Sequence, residues 1–367
     1  MNEEKKRILE WVKEGKLSTD EALTILEEFE KANINKQEKE KEIVTELSTV
    51  VNYEEQDQKE EPVYNKFQSA KDKLFDIVDS VLKKVKELDL TQSVELSHIF
   101  HQPDVSFKDI DIDIANGKTE IIPWENNDVR IECEAKVYRT KDEREARKQL
   151  LNDTRFEIQN DRLQLIVRQK WMKMDTKIFI PQNDYHKIRV RLFNGSLFAE
   201  NVKAESIKAR SANGKLNLQR VLAEDGEFET ANGNITLNGV SFKKLEAETI
   251  NGAIQGEGHI ISGDLQTFNG SVKFELKNRS AESLHAKAVT GSVELIIPED
   301  LPAEGELKSN LGGFNLDLTG IQVIEEKNEL AQKQLKFKMI QSSFQNLNIF
   351  ADSKTGSITV KRSHAES

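Results

Sequence analysis

The chain has 367 residues, 37% apolar and 32% charged, and 53 lysines and arginines against 64 aspartates and glutamates leave a formal charge of −11. That length makes two or three domains, and the acidic balance argues against a nucleic-acid binder, which carries the opposite sign. One cysteine excludes a disulfide framework and any zinc site built on cysteine pairs, and 18 glycines with six prolines are too few for a collagen-like or low-complexity chain.

The first residues, MNEEKKRILEWVKEGKL, are basic in part but lack the apolar core and small-residue cleavage site of a secretory signal. No stretch reaches the roughly 18–20 apolar residues of a membrane-spanning helix. The expectation is a cytoplasmic protein with no transmembrane segment, free to associate with a membrane surface. Display on the cell surface by unconventional export is the alternative.

Residues 1–30 read as a helical hairpin. Ile8, Leu9 and Val12 recur at helical spacing with Trp11 beside them, and Gly15 suits a helix end. Ser18 three residues before Glu21 is a capping box, and Ala22, Leu23, Ile25, Leu26 and Phe29 supply the second apolar face. Some thirty residues cannot bury enough surface to stand alone. The hairpin must dock on a partner protein, on a copy of itself in a homo-oligomer, or on its own chain. Trp11, Leu17, Leu23, Leu26 and Phe29 are its candidate contact residues.

Residues 31–62 are mostly charged and polar and read as a linker, broken only by the apolar island Ile43–Val51. Residues 63–90 read as an amphipathic helix, with Phe67, Ala70, Leu74, Ile77, Val81 and Leu88 on one stripe. Its polar face mixes both signs, whereas a membrane-surface helix shows a lysine- or arginine-dominated one. A cap on the next domain or a short coiled coil fits better than lipid contact.

Residues 104–362 read as β-structure. Ile110, Ile112 and Ile114 alternate ahead of Asn116-Gly117, and Val129, Ile131, Cys133, Ala135 and Val137 alternate after it. This is the period of a half-buried strand, and it makes Cys133 a small buried side chain rather than a nucleophile. Thr140–Asn152 is a charged helical or loop excursion.

A repeat follows. Asn-Gly recurs as Asn194-Gly195, Asn213-Gly214, Asn232-Gly233, Asn251-Gly252 and Asn269-Gly270, at intervals of 19, 19, 19 and 18. Thr290-Gly291 and Leu311-Gly312 extend it at intervals of 21. Three residues after each Asn or its substitute stand Leu197, Leu216, Ile235, Ile254, Val272, Val293 and Phe314. One before stand Phe193, Ala212, Ala231, Ile250, Phe268 and Val289; four before stand Val190, Ala209, Phe228, Ala247, Leu265 and Ala286. A period near 20 is that of a solenoid, in which each turn hides its apolar face on its neighbours. The predicted fold is therefore mainly β: a parallel β-helix-like solenoid of about 19 residues per turn, preceded by the hairpin and the amphipathic helix. Asn-Gly tolerates positive φ, so it can turn the chain at one place in every rung, and stacked Asn side chains can hydrogen-bond along the ladder. An antiparallel meander built on Asn-Gly hairpins is the alternative, but hairpins give no reason for a constant phase. The ends need covers: the 63–90 helix and the 110–137 strands in front, and Leu335, Phe337, Met339 and residues 349–360, with a Thr355-Gly356 echo, behind.

Two stretches carry a family resemblance: RILEWVKEGKLSTDEALTILEEFE (Arg7–Glu30) and DIDIANGKTEIIPWENNDVRIECEAKV (Asp111–Val137) leading the repeats. Over most of its length the chain resembles the LiaX/YvlB-type proteins of Gram-positive bacteria, which join a SHOCT-like helical hairpin to an adhesin-type β-solenoid. The resemblance implies a role in cell-envelope stress and in the response to antimicrobial peptides, with an envelope component or a peptide as ligand. No catalytic motif belongs to that family.

The residues themselves offer little chemistry. Glu229 and Glu248, like Glu227 and Glu246, fall in one outward column on adjacent turns, where paired carboxylates could serve glycan hydrolysis. Arg210, Gln266 and Lys287 continue that column, which makes it a mixed charged surface. His98 and His101 have helix-compatible spacing without a carboxylate partner, and His186, His259, His285 and His364 are scattered, so no metal is expected. Gly256-Glu257-Gly258 lacks the rest of a dinucleotide fingerprint, so no cofactor is expected either. Trp171, Met172 and Met174 read as core or edge packing. The leading reading is a non-catalytic envelope-stress protein. A surface adhesin for carbohydrate or lipid headgroups is second, and a solenoid enzyme acting on polysaccharide third.

Overall fold

The computed structural model describes residues 2–13, 18–49, 92–329, 332–340 and 346–363. Leu17 and the helix expected over 63–90 lie outside the described residues. In chain order the chain forms helices α1 (Asn2–Lys13) and α2 (Thr19–Thr49), then strands β1 (Ser93–Gln102), β2 (Asp109–Asn116), β3 (Thr119–Trp124) and β4 (Val129–Tyr138). Helix α3 (Glu143–Asp153) precedes β5 (Arg155–Gln159), β6 (Arg162–Val167) and β7 (Met172–Pro181). The regular repeats are β8 (Asp184–Asn194), β9 (Leu197–Glu200), β10 (Lys203–Asn213), β11 (Leu216–Gln219), β12 (Leu222–Asn232), β13 (Ile235–Asn251), β14 (Ile254–Asn269), β15 (Val272–Leu276), β16 (Ser283–Thr290) and β17 (Val293–Ile297). The last strands are β18 (Ala303–Ser309), β19 (Phe314–Asp317), β20 (Ile321–Asn328), β21 (Lys333–Met339), β22 (Leu347–Ser353) and β23 (Ile358–Arg362).

Each repeat is one strand running into the Asn-Gly corner and one leaving it. Successive repeats stack in parallel: β8, β10, β12 and the second halves of β13 and β14 on one side of the corner, and β9, β11, the first halves of β13 and β14, and β15 on the other. The apolar columns of the sequence are the columns of the stack. Leu197, Leu216, Ile235, Ile254, Val272 and Val293 are direct register partners, all at most 1% exposed. In the column Val190, Ala209, Phe228, Ala247, Leu265, Ala286, small and large side chains alternate on neighbouring rungs, a pattern that lets them interdigitate. Val289, in the column before the corner, is buried as well.

The corner meets the sequence expectation in part: φ is positive at Gly117 (133), Gly270 (157) and Gly291 (134), but not at every rung. Gly214 and Gly233 lie outside the left-handed region. Glycine is required there because a Cβ would sit on the carbonyl oxygen of the previous rung, 1.8 Å away at Gly214 and 1.9 Å at Gly233. Left-handed backbone also falls at the second corner, on Asn201 (φ 55), Arg220 (φ 50) and Gly239 (φ 61), again 19 residues apart.

The order of rungs also departs from chain order at both ends. The β2–β3 rung lies between β6–β7 and β8–β9. It is an interior rung, not the end cover expected of it. At the far end β22–β23 slips between β16–β17 and β18–β19. The Leu311-Gly312 corner is therefore stacked on Gly356, not on Gly291. Antiparallel strands finish the stack: β4 crosses β7 and carries β1, β5 pairs with β6, and β20–β21 folds back on β18. Helix α3 buries Ala146 and Leu150 at the β1–β4 end. Cys133, Met172 and Met174 are in the core.

The charged stretch expected as a linker over 31–62 is helical as far as Thr49. An isolated helix of such sequence is marginal in water. Ile43 and Leu47, one turn apart, give it an apolar foothold on the stack, where they pack on Ala212, Ala231 and Ile250.

Candidate functional site

The Asn-Gly corner carries two ladders. Thr230 Oγ1 donates to Gly214 O at 2.9 Å, Thr249 to Gly233 O at 2.8 Å and Thr267 to Gly252 O at 2.8 Å, with Ser211 to Gly195 O at 2.9 Å. Outside them the asparagines form a chain: Asn194 Nδ2 donates to Asn116 Oδ1, Asn213 to Asn194, Asn232 to Asn213, Asn251 to Asn232 and Asn269 to Asn251, at 2.8–2.9 Å. Thr290 Oγ1 closes the row on Asn269 Oδ1 at 3.0 Å. Every amide donates one way and accepts the other, so no polar atom of the ladder competes with its neighbour. The structure thus brings together the predicted corner residues and adds Asn116, whose spacing of 78 residues from Asn194 hid it from the repeat. The Ser/Thr row leaves its own trace in the sequence, two residues before Asn213, Asn232, Asn251 and Asn269.

Because the Ser/Thr side chains turn inward, the next residue turns outward. Phe193, Ala212, Ala231, Ile250 and Phe268 therefore form an apolar stripe on the outer face, and α2 lies along it. Ala212, Ala231 and Ile250 are wholly buried by Ile43 and Leu47, with Val44 alongside. Charges line up on either side. Glu28 accepts from Asn310 Nδ2 at 3.0 Å and Lys354 Nζ at 3.2 Å; Lys39 pairs with Glu248; Glu46 pairs with Arg210 at 2.7 Å. Arg210 also holds Glu227 at 3.0 Å and Glu229 at 2.9 Å.

The two suspected carboxylate columns are thus occupied. Burial pushes Glu229 above the usual carboxylate range, with Arg210 and Lys39 opposing and Glu248 adding to it. Burial acts the same way on Glu227, but Lys208 and Arg210 outweigh it and hold that group low. A cavity of about 260 Å³ separates Glu42 and Glu46 of α2 from Glu227 and Glu246.

Under Glu28, Asp352 is raised by burial and further by Glu28, against Lys354, Lys287 and Lys308, and its Oδ1 lacks a hydrogen-bond partner. A carboxylate raised in the folded state binds its proton more tightly folded than unfolded. Stability is then lost as pH rises from below its ordinary value through the raised one. Asp352→Asn removes that loss, so its melting temperature relative to wild type should rise between pH 3 and pH 7. The expected gain at pH 7 is roughly 2–4 °C, about 1 kcal/mol in a domain of this size. Thermal melts across that range check it; a constant difference would refute the assignment.

The histidines do not assemble. His98 and His101 lie on a strand, where residues three apart face opposite sides. His98 meets Phe100 edge-on and His101 pairs with Asp128. Among the described residues no group of three histidines, cysteines or acids is arranged to hold a metal. Trp171 lies under the Arg139 guanidinium, 5.6 Å from the ring centre.

In the hairpin, Ile8, Ala22, Ile25 and Phe29 are buried together, with Leu26, Val12 and Leu311 against them. Phe29 is therefore spent inside the molecule and not offered to a partner. Leu23 and Leu9 are more than half exposed. Trp11 lies on α1, but its side chain, like Leu17, lies outside the described residues.

Residues 107–361 match the Toastrack DUF4097 family, and residues 3–33 match a SHOCT-like domain. The chain belongs to the Toastrack DUF4097 family. Over 99% of its length it is 45% identical to the YvlB protein of Bacillus subtilis (strain 168), all of which it covers. Among solved structures, a "putative adhesin" of Parabacteroides distasonis shares 12% identity over 73% of this chain and 97% of that one, with a TM-score of 0.42. A "putative lipid binding protein" of the same organism shares 10% over 73% and 97%, with a TM-score of 0.39. The SHOCT-like match stops at residue 33, so the part of α2 that covers the Toastrack stripe, from Lys39 to Leu47, lies beyond it. No helix among the described residues is long and apolar enough to cross a membrane.

Proposed function

We propose that this Toastrack protein is a non-catalytic component of the cell-envelope stress and antimicrobial-peptide response. Its β-stack serves as a binding surface and its N-terminal hairpin as a protein-interaction module, acting from the cytoplasmic side of the membrane. The observation that supports this most is the use made of the charged columns. Glu229 and Glu248, the best-placed pair for acid–base work, are committed to Arg210 and Lys39 beneath α2. That arrangement commits both carboxylates to holding a module in place. The exposed Leu9 and Leu23 are the hairpin's free apolar contacts.

The test is complementation of a deletion strain under an envelope-targeting peptide, with survival and a stress reporter as readouts. The double variant L9D/L23D is expected to fail to restore survival, and the purified protein is expected to turn over no cell-wall polysaccharide. Unchanged survival of the deletion strain, or polysaccharide turnover that E229Q/E248Q abolishes, would overturn the reading. Cleavage of the protein by protease added to intact cells would place it outside and favour the adhesin reading.

A further inference from the structure

The stripe beneath α2 is built for one kind of occupant. Three charged side chains of α2 meet three oppositely charged stations: Glu28 at Lys354, Lys39 at Glu248, Glu46 at Arg210. The stations lie on rungs β22, β13 and β10. From the first to the third is five rung spacings, roughly 24 Å at about 4.8 Å each. The 18 residues from Glu28 to Glu46 rise roughly 27 Å as a helix. From Lys39 to Glu46 the helix rises roughly 10.5 Å, against about 9.6 Å for the two rungs between their stations. One helical turn therefore stays nearly in step with one rung, and Ile43 and Leu47 fall on the alanines of the stripe.

This order of charges, acid then cation then acid, selects the occupant. A uniformly cationic helix would set a positive charge against Lys354 and Arg210, and a uniformly acidic one would meet Glu248. Glu28, Lys39, Ile43, Glu46 and Leu47, which meet the stripe and its flanking charges, lie on α2 itself and are therefore present in every copy of the chain. The covalent connection also permits exchange: residues 50–92 number 43, and an extended chain of that length reaches at most about 140–155 Å. The ten stacked rungs span about 43 Å.

We infer that the stripe is a helix-docking groove that accepts the α2 of a second copy in place of the chain's own, so that two molecules exchange hairpins. The inference rests on reading the hairpin as an interaction module and names a second copy as its partner. Docking within the chain is favoured when dilute, because groove and helix then belong to one molecule. Exchange appears as the protein is concentrated.

The experiment uses full-length chains and a short bis-maleimide. Glu42 and Glu246 line one cavity between helix and stack and carry none of the three ion pairs across the stripe. Cys133 is buried and its thiol is pushed up to about 12, so it stays silent. The double variant E42C/E246C should link within one chain. Mixed single variants E42C and E246C should give a linked pair of about 84 kDa, twice the 41.9 kDa of one chain. Its yield should fall at least tenfold when the E246C chain also carries R210E, and return when the E42C chain carries E46R. Linkage within the double variant but none between the singles at 1 mM would overturn the exchange. Linkage indifferent to R210E would overturn the groove, and no linkage within the double variant would overturn both. The stress reporter described above responds independently, so either idea can fail without the other.

Discussion

A chain that stops at residue 332 should be recovered as aggregate, not as a smaller folded monomer. Residues 347–362 form the rung between β16–β17 and β18–β19, not the last rung. Truncation removes Leu347, Ile349, Ala351, Ile358 and Val360, all at most 2% exposed, and leaves their partners on both sides open. Each large-to-small core loss costs about 2–5 kcal/mol, so losing the four large side chains at once, roughly 8–20 kcal/mol, matches or exceeds the roughly 5–15 kcal/mol that holds a domain together. It also bares two strand edges on each sheet, and open edges pair with other chains. The truncated β18 would lose β21 on its other side as well. Sedimentation and size-exclusion of the expressed fragment decide the matter. A soluble monomer melting within a few degrees of the full chain would show that the rung is dispensable and that the stack is not continuous there.

The second large effect is expected from one methyl group. Gly233→Ala places a Cβ 1.9 Å from Gly214 O and 2.6 Å from its carbon, both backbone atoms of the previous rung. No rotamer can relieve that contact; the rungs must part. Overpacking of this kind costs about 1–3 kcal/mol and more where the backbone has to move. At about 3 kcal/mol the melting temperature falls by roughly 6–12 °C. Gly313→Ala is the control, since nothing lies within 4 Å of its added Cβ. Circular dichroism melts of the two variants should separate clearly. Equal melting temperatures would mean that the corner does not approach as closely as the stack requires.

The repeat was legible because a stack leaves a periodic trace. Leu216, Ile235, Ile254 and Val272 all meet the same neighbour above and below, so one residue type serves at one position in every rung. The asparagines were legible for the same reason. The meaning of the glycines was not. Positive φ and close approach both demand glycine, and only the distance to the carbonyl of the previous rung tells them apart. The hairpin was legible from its caps and apolar spacing. Its extension was not, because residues 31–49 are mostly charged and polar and Ile43, Val44 and Leu47 make too short a periodic run.

The sequence alone determined the parallel stack, its period, the position of its corner and the presence of a helical hairpin. All four follow from patterns repeated along the chain, and repetition survives without coordinates. Tertiary structure alone decided that β22–β23 enters the stack ahead of β18–β19, that β2–β3 is an interior rung, and that α2 covers the stripe beside the asparagines. These are pairings between segments with no shared period, such as Glu46 with Arg210 or Gly312 with Gly356. Each depends on which unsatisfied edge or apolar stripe is within reach once the rungs have formed, and single contacts of that kind leave no recurring mark in the order of residues.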